Sequence, residues 1–348
     1  EEANNKEWSV TKAQPVIKNI SEEHGVTYNH FENYYDDFKD QVLLPHQLSN
    51  LGPALAVGDV NGDGLDDFFV GSAVSHYPAL YLQDANGQFK QKYNQPFEQE
   101  QHKEEMQAVF FDCARDKDLD LYIGYGSYEF NFNSPLLQDI IYLNDGKGTF
   151  KKSALLPQML TSTSVVVPFD FDNDNDLDLF IGSRMQQKRY PLPPNSYLLE
   201  NKDGKYVDVT SEKAPDLNGI GMITSAVSTD HNQDGNMDLI ISGEWMKISI
   251  LENNSDEFAL IDYNEVGLDK SGGWWYALAL DDIDKDGDQD LITGNLGLNY
   301  KYQASEELPF KVFSNDFDGN QKVDIILSYS QEGTYYPLRG RQCSAEQL

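Results

Sequence analysis

Short apolar runs alternate along the chain with a nine-residue acidic pattern. A run such as residues 68–70 follows the last aspartate of the pattern, and a matching run such as residues 54–57 precedes its first aspartate. Runs of this length, rich in β-branched and aromatic residues and closed by Gly or Ser, are typical of buried strands. The pattern therefore predicts pairs of adjacent antiparallel strands, each pair joined by an acidic loop.

The acidic pattern recurs six times and, in its fullest form, reads D-x-[DN]-x-[DN]-[GN]-x-x-D. Its copies occupy residues 59–67, 112–120, 170–178, 230–238, 282–290 and 316–324. A second motif follows the first four copies, at residues 79–89, 140–150, 196–206 and 248–258. It consists of an apolar run, a turn of Asn, Asp or Gly, and a run led by an aromatic residue, which predicts a hairpin. Each repeat is thus expected to form four strands.

The repeat length favours a particular all-β fold. The first five loops start 52 to 60 residues apart, which suits one four-stranded antiparallel unit per period. Such units most often pack radially as the blades of a β-propeller, because a ring protects the sheet edges. Six or seven blades are expected. An incomplete C-terminal end is an open alternative, because the sixth loop follows the fifth after only 34 residues without a hairpin motif.

The N-terminal segment is expected to stand apart from the repeats. We assign residues 1–50 to this segment and residues 51–348 to the β-propeller repeats. Residues 16–26 resemble residues 206–217, which follow the third hairpin motif. We therefore expect an outermost strand in this segment that latches the ring.

The acidic loops carry the chemistry of a calcium site. Several oxygen-bearing side chains within nine residues repel one another unless a hard cation lies among them, and calcium takes six to eight oxygens. Magnesium prefers fewer protein ligands and strict octahedral geometry. The expected ligands, with positions one, three, five and nine giving side-chain oxygens and position seven its carbonyl, are Asp59, Asn61, Asp63, Leu65 and Asp67; Asp170, Asp172, Asp174, Asp176 and Asp178; Asp230, Asn232, Asp234, Asn236 and Asp238; Asp282, Asp284, Asp286, Asp288 and Asp290; and Asp316, Asp318, Asn320, Lys322 and Asp324.

The second loop, residues 112–120, is expected to bind a metal weakly or not at all. Ala114 replaces its third-position ligand, and Lys117 brings a positive charge to the sixth position, where Gly64 allows a sharp turn in the first loop. About five calcium ions are therefore expected. An EF-hand is disfavoured, because no copy has the Glu that such a loop needs at position twelve. We interpret the sites as structural rather than catalytic, because no copy stands out as an exceptional site.

Composition and net charge limit the classes of partner that this protein is expected to bind. The chain has 348 residues and a formal net charge of -32, which repels phosphate and disfavours nucleic acid as a partner. No apolar stretch approaches the roughly 20 residues of a transmembrane helix. Aromatic residues make up 12%, too many for a disordered acidic polymer.

Residues 54–73 (ALAVGDVNGDGLDDFFVGSA) and their five relatives resemble the FG-GAP/VCBS repeats of integrin alpha-subunit propellers and their bacterial relatives. More narrowly, residues 30–71, 272–302 and 313–329 look like the VCBS-repeat proteins of Bacteroidetes, which are similar to cartilage acidic protein and often carry an ASPIC/UnbV domain. The resemblance implies calcium at the matching loop positions and an exported protein, often an outer-membrane lipoprotein at the cell surface. It implies nothing about catalysis.

Two functions remain open at this stage. The first is a non-enzymatic, calcium-stabilised propeller that binds a protein or a glycan at the cell surface. The alternative is a lyase-like enzyme acting on polysaccharides, which needs basic and aromatic side chains in one cleft, such as Arg184, Lys188, Arg189 and Trp274. The aromatic group of Trp245, Trp274, Trp275 and Tyr276 suits either packing or sugar stacking, and packing is favoured.

Overall fold

The structure is a computed structural model that describes residues 17–255, 257–301 and 304–345. Three four-stranded antiparallel sheets follow one another along the chain and form units one to three. Unit one contains β1 (Leu55–Gly58), β2 (Asp67–Val70), β3 (Ala79–Gln83) and β4 (Phe89–Lys92). Unit two contains β5 (Glu105–Phe111), β6 (Asp120–Tyr125), β7 (Ile140–Asn144) and β8 (Phe150–Lys152). Unit three contains β9 (Ser162–Phe169), β10 (Asp178–Met185), β11 (Tyr197–Lys202) and β12 (Lys205–Asp208).

The later units depart from this plan. Unit four contains β13 (Met222–Thr229), β14 (Asp238–Met246), β15 (Ser249–Asn253) and β16 (Phe258–Leu260). Unit five has only β17 (Gly273–Asp281) and β18 (Asp290–Asn295), and β17 also pairs with the end of β14. Unit six is a three-stranded sheet of β19 (Lys311–Asn315), β20 (Asp324–Gln331) and β21 (Thr334–Pro337).

Helical structure is confined to short turns in the described residues. The two α-helical turns are α1 (Thr210–Lys213) and α2 (Arg341–Ser344). The 3₁₀ turns span Glu22–His24, Asp37–Lys39, Pro96–Gln99, Pro135–Leu137, Pro215–Leu217 and Gly297–Asn299.

Each acidic loop joins the first two strands of its unit, as predicted. The last aspartate of the loop is always the first residue of the second strand, and it pairs with the end of the first strand, as Asp67 does with Gly58. The hairpin motifs form the outer pairs β3–β4, β7–β8, β11–β12 and β15–β16. The predicted all-β class with four-stranded antiparallel, propeller-like units is confirmed.

Neighbouring units share hydrophobic cores. One core joins Phe69 of unit one to Ala108 and Ile123 of unit two. The next core joins units two and three, and a third joins units three and four through Val165 and Ile241. The first strand of each unit packs on the first strand of the next, from β1 through β5, β9 and β13 to β17. Burial of these faces is what holds the array together.

The array is open at two faces. Leu55 of β1 is 60% exposed, although residues in the same place in the next three units, such as Ala108, are buried against the preceding unit. Ile292 of β18 is 45% exposed, whereas its counterpart Ile240 of β14 is 4% exposed. No described unit covers these two faces.

The N-terminal segment does not form the expected strand in its described part. Val16 lies outside the described residues, and residues 17–54 contain no strand. A 3₁₀ turn at Glu22–His24 ends at Gly25, whose φ of 80° stops further extension. In the counterpart segment, residues 206–208 end β12 and residues 210–213 form α1. In the N-terminal segment only the helical turn has an equivalent among the described residues. The turn still contacts unit one, because His24 Nδ1 lies 2.7 Å from the Gly87 carbonyl oxygen.

The rest of the N-terminal segment packs beneath unit six. Leu44 and Leu48 share a buried core with Ile325 of β20 and with Tyr190, which lies in the loop after β10. The Gln41 amide donates to the carbonyl oxygens of Tyr190 and Val323. The segment therefore connects unit three with unit six. The domain boundary at residue 50 stays a prediction.

Candidate metal centres

The acidic loops share one backbone conformation. In the first loop, Asp59 accepts hydrogen bonds from the backbone N–H groups of Gly62, Asp63 and Gly64. The position-five side chain then accepts from position seven, as Asp63 does from Leu65 at 2.9 Å. The same bonds from positions five and six to the position-one carboxylate occur in all six loops. The six sequence copies therefore share one loop conformation, in which the position-one carboxylate accepts from the backbone N–H groups of positions five and six. We call this conformation the cradle.

Two positions of every loop lie in the left-handed backbone region. Their φ values fall between 59° and 101°. The sequence pointed to position six through Gly64 and Asn175. It missed position four, although Gly62 and Gly319 were a signal for it. The residues in this conformation are Gly62, Arg115, Asn173, Gln233, Lys285 and Gly319 at position four, and Gly64, Lys117, Asn175, Gly235, Gly287 and Gln321 at position six. A non-glycine residue costs about 1 kcal/mol or more in this region, so the hydrogen bonds to position one must hold it there.

The ninth position ties the loop to its sheet. Asp178 is buried, and its two carboxylate oxygens accept from the backbone N–H groups of Phe171 in the loop and Asn201 in the third strand. Asp67 and Asp238 make the equivalent pair of bonds in units one and four. This aspartate therefore positions both the loop and the outer hairpin.

The structure brings the carboxylates of three loops close together. Ligand atoms from positions one, three and nine lie within 4.8 Å of one another in the third, fifth and sixth loops. These groups are Asp170, Asp172 and Asp178; Asp282, Asp284 and Asp290; and Asp316, Asp318 and Asp324. The first and fourth loops carry Asn61 and Asn232 at position three, so each offers an amide oxygen in place of one carboxylate.

Electrostatics in these loops favour a bound cation. Burial, followed by donations from the backbone and repulsion from neighbouring aspartates, leaves the pKa of Asp178 raised to about 7. Burial and the charge of Asp174 raise the pKa of Asp176 to about 6. Oδ1 of Asp172 and Oδ1 of Asp176 are buried and have no hydrogen-bond partner in the part of the chain that the structure describes. A hard divalent cation would satisfy these oxygens and offset the repulsion, so the donor set fits such an ion.

The second loop keeps the cradle without its third-position ligand. Asp112 accepts from the backbone N–H groups of Asp116 and Lys117, as in the other loops. Ala114 offers no oxygen from its side chain, and the Cys113 thiol donates to Asp120 at 2.9 Å. The loop conformation therefore depends on the backbone hydrogen bonds to position one. It does not depend on whether position three offers an oxygen to a metal.

A polar and aromatic cluster lies at the other end of the sheets, where β10 and β14 finish. Arg184 and the Tyr190 hydroxyl both donate to the fully buried Glu244 carboxylate, and His46 Nε2 lies 3.4 Å from it. Burial alone would raise the pKa of Glu244, but the neighbouring His46 and Arg184 outweigh it and lower it to about 2. The sequence missed this network, since its members are far apart along the chain.

Trp245 and Trp274 belong to the same cluster. The Trp245 and Trp274 ring centroids are 4.9 Å apart in an edge-to-face arrangement, and Tyr300 lies 5.5 Å beyond Trp274. Trp245 Nε1 donates to the Tyr190 hydroxyl at 2.6 Å. Trp245 also has a φ of 59°, a strained conformation for a bulky residue. These rings are packed together and only partly exposed, in line with the favoured packing interpretation.

The residues proposed for a lyase-like cleft are divided between two places. Arg184 is paired with Glu244, and Trp274 packs beside His46. Lys188 and Arg189 instead line a separate cavity next to the sixth acidic loop.

A buried acidic pair was also missed. Glu104 and Glu105, at the start of β5, are almost fully buried, and neither carboxylate oxygen of Glu104 has a hydrogen-bond partner among the described residues. Burial raises the pKa of Glu104 to about 9 and that of Glu105 to about 8. Sequence reasoning assigns no role to this pair, because acidic residues are abundant throughout the chain and some pair is expected by chance.

None of the helices in the described parts of the chain is long and apolar enough to cross a membrane.

Comparisons with known proteins add two kinds of finding. Among curated proteins, none matches this chain in sequence. Among solved structures, a lectin of Agrocybe aegerita that recognises non-reducing terminal N-acetylglucosamine is 14% identical, with 83% of this chain and 79% of the lectin chain covered and a TM-score of 0.45. The V. cholerae biofilm matrix protein Bap1 is 13% identical, with 81% of this chain and 38% of that chain covered and a TM-score of 0.35.

The family comparison agrees with the acidic loops. The FG-GAP-like repeat matches residues 59–123, 112–181 and 230–293, and each match begins at the first aspartate of an acidic loop. Together these stretches cover more than half of the sequence, and the chain therefore belongs to the FG-GAP-like repeat family.

Proposed function

We propose that this protein is a non-enzymatic binding module, stabilised by about five calcium ions, which recognises a protein or a glycan at the cell surface. The observation that carries the proposal is the repeated cradle. Its backbone is the same in all six loops, and three loops gather three carboxylates within 4.8 Å. Equivalent sites in every unit suit a structural ion better than a catalytic one, because catalysis needs one distinctive site.

Calcium is supported by the chemistry of the loops. Aspartate, asparagine and backbone oxygens are the ligands that calcium prefers, and the loops offer them at alternate positions of a tight turn. The ninth-position aspartate also joins the ion to the sheet, since Asp178 bonds both the loop and the third strand. Ion binding would therefore stabilise the folded unit directly.

Binding is supported by the opposite end of the units. There the chain places the cluster of Trp245, Trp274 and Tyr300 around the buried Glu244 network. Strained backbone and part-exposed aromatic rings are features of recognition sites on rigid scaffolds. The lyase-like alternative loses support, because Arg184 and Trp274 are separated from the cavity that Lys188 and Arg189 line.

An exported location at the cell surface, as in the VCBS-repeat and ASPIC/UnbV proteins of Bacteroidetes, is part of the proposal. A net charge of -32 that is relieved by calcium suits a calcium-rich exterior better than a cytosol poor in the ion.

The test of binding is a pulldown and a glycan array with the full chain in calcium buffer, repeated with chelator. We expect capture of a protein or a glycan that is lost when calcium is removed. Absence of capture from both panels would contradict the binding role. New unsaturated products on uronic-acid polymers would instead support the lyase-like alternative.

A further inference from the structure

A cavity of about 570 Å³ lies between the loop after β10 and the sixth acidic loop. Its walls come from units two, three and six and from the N-terminal segment, and they do not include the tryptophan cluster. The lining residues that matter here are Phe132, Gln187, Lys188, Arg189, Asp316 and Lys322. A cavity of this size suits a ligand of a few linked rings.

The charge of this cavity is opposite to that of the protein. Only 26 of the 348 residues are Lys or Arg, against 58 Asp and Glu, yet three of the basic side chains meet at this one place. Within the described residues, the side chains of Arg189 and Lys322 form no ion pair. Lys188 Nζ lies 3.7 Å from Asp40, whose carboxylate also accepts from the Tyr35 hydroxyl. Arg189 lies over the Phe132 ring, with its Cζ 5.1 Å from the ring centroid, which leaves its charge without a carboxylate partner in the described part of the chain. In so acidic a chain, basic groups without an ion pair indicate a place for an outside anion.

The sixth acidic loop, which forms another wall of the cavity, is also compatible with a bound anion. Asp316 is the first residue of the sixth acidic loop, and its carboxylate is directed to the backbone of that loop. A cation held by this loop would offset the charge of Asp316, which leaves the basic residues dominant.

An unsatisfied donor completes the site. Gln187 is only 2% exposed, and its Nε2 group is buried without a hydrogen-bond partner among the described residues. A buried amide donor without a partner is unfavourable, and a ligand oxygen that reached Nε2 would satisfy it.

We propose that this cavity binds an oligosaccharide that carries carboxylate groups. The proposal rests on the proposed binding function and names its ligand class. Lys188, Arg189 and Lys322 pair with the carboxylates, and Gln187 donates to a ring or hydroxyl oxygen. Arg189 lies over the Phe132 ring, yet Phe132 is 46% exposed, and its exposed part offers an apolar surface for the C–H face of a sugar ring.

A sugar suits the walls better than an acidic peptide does. Beside the charged groups, the lining contains the apolar residues Phe132, Leu192 and Val323 and four amide or hydroxyl side chains, namely those of Gln187, Ser314, Asn315 and Gln321. These groups match the alternating donors and acceptors of sugar hydroxyls.

Calorimetry with the full chain in calcium buffer at low ionic strength tests this proposal. The probes are a trimer of galacturonic acid, the neutral trimer maltotriose and a hexaglutamate peptide. We expect the acidic trimer to bind, the two other probes to bind at least tenfold more weakly, and added salt to weaken binding. Arg189→Gln and Lys322→Gln should each weaken binding about tenfold or more, as expected for a lost charge-assisted hydrogen bond.

Lys151→Gln is the matched control, because it removes an exposed charge from β8, far from the cavity along the chain, and should leave binding unchanged. Thermal melting establishes that each variant is folded. Equal binding of hexaglutamate, or acidic-trimer binding that neither cavity variant weakens, would overturn the proposal. Capture of other glycans or proteins without any binding of the acidic trimer would also overturn it while leaving the binding function intact. If the chain captured no glycan and no protein at all, both this proposal and the proposed binding function would be wrong.

Discussion

The first and last aspartates of each loop have different tasks. The first, such as Asp170, accepts backbone N–H groups and shapes the turn, while the ninth, such as Asp178, is buried and bonds to the neighbouring strand. Both also offer oxygens to a cation. Removal of the ninth aspartate should therefore have one effect that depends on calcium and one that does not.

We predict that Asp178→Asn destabilises the fold by about 1–3 kcal/mol, because an amide N–H₂ group meets a backbone N–H donor in the buried site. It should also reduce the gain in Tm that calcium gives. Thermal melting with calcium and with chelator measures both effects. Asp120→Asn is the control, since Asp120 accepts from the backbone N–H groups of Cys113 and Asn144 in the loop that lacks a third-position ligand. An equal calcium-dependent loss in both variants would contradict the account.

The second loop offers a gain-of-function prediction. Its backbone already has the cradle conformation, so ligands are what it lacks. We expect the double variant Ala114→Asp, Lys117→Gly to bind one more calcium ion per chain than the wild type, because it restores the third-position oxygen and removes the positive charge. Calorimetric titration counts the ions. Lys117→Gly alone is the control, and an unchanged count in the double variant would show that the loop is defective for another reason.

Glu104 gives the fold a pH dependence. Burial raises its pKa to about 9, so between about pH 5 and pH 8 the folded chain holds a proton that the unfolded chain has released. Stability from this group therefore falls as pH rises, by at most about 1.4 kcal/mol per pH unit. We predict that Glu104→Gln gains stability relative to the wild type across this range, as measured by urea unfolding in calcium buffer. Glu22→Gln, at an exposed site, should run parallel to the wild type. A parallel profile for Glu104→Gln would contradict the burial of an ionisable group there.

At the scale of elements, the second strand is the buried centre of its sheet in units one to four. Its apolar run follows the last loop aspartate directly, and β6 and β10 are buried through residues 120–125 and 178–183. In units one to three, position two after that aspartate packs toward the next unit, as Phe69, Tyr122 and Phe180 do. The contribution of the second strand to stability therefore depends on how fully the neighbouring unit covers it.

We predict that Ile240→Ala in β14 destabilises the fold by about 2–5 kcal/mol, because it leaves a cavity in a covered face. The equivalent change in β18, Ile292→Ala, should cost less than about 1 kcal/mol, because that side chain is half exposed. Urea unfolding of both variants measures the difference. Equal losses would mean that another unit or another molecule covers β18 in solution.

Local patterns explain how far the elements were predictable. The strands beside the loops and the four hairpins follow from apolar runs and turn residues, which act over a few residues. The expected strand over residues 16–26 was wrong in its described part, because the resemblance to residues 206–217 covers a turn there. The short fifth unit was foreseen only as a missing hairpin motif, since its pairing of β17 with β14 depends on distant residues.

The candidate site was predictable to a similar extent. The loop ligands follow from spacing, and the structure gathers Asp282, Asp284 and Asp290 as that spacing implies. The Glu244 network and the cavity at Arg189 were not predictable, because their members come together only through the packing of separate units. Long-range contacts of this kind leave no periodic signal in one sequence.

For the whole molecule, the distribution of charge is the controlling feature. A net charge of -32 is concentrated in loops at one end of the units, where like charges repel each other strongly unless a cation is present. Hydrophobic cores between units oppose this repulsion but are incomplete at β1 and β18. The balance between core burial and loop repulsion should therefore be set by calcium.

Calcium titration of the chelator-treated chain, followed by calorimetry and by thermal melting, tests this balance most directly. We expect about five ions to bind per chain and the Tm to rise as they bind, because only the folded units hold the ligands together. A chain that takes up no calcium, or one whose Tm is the same with the ion and with chelator, would contradict the account.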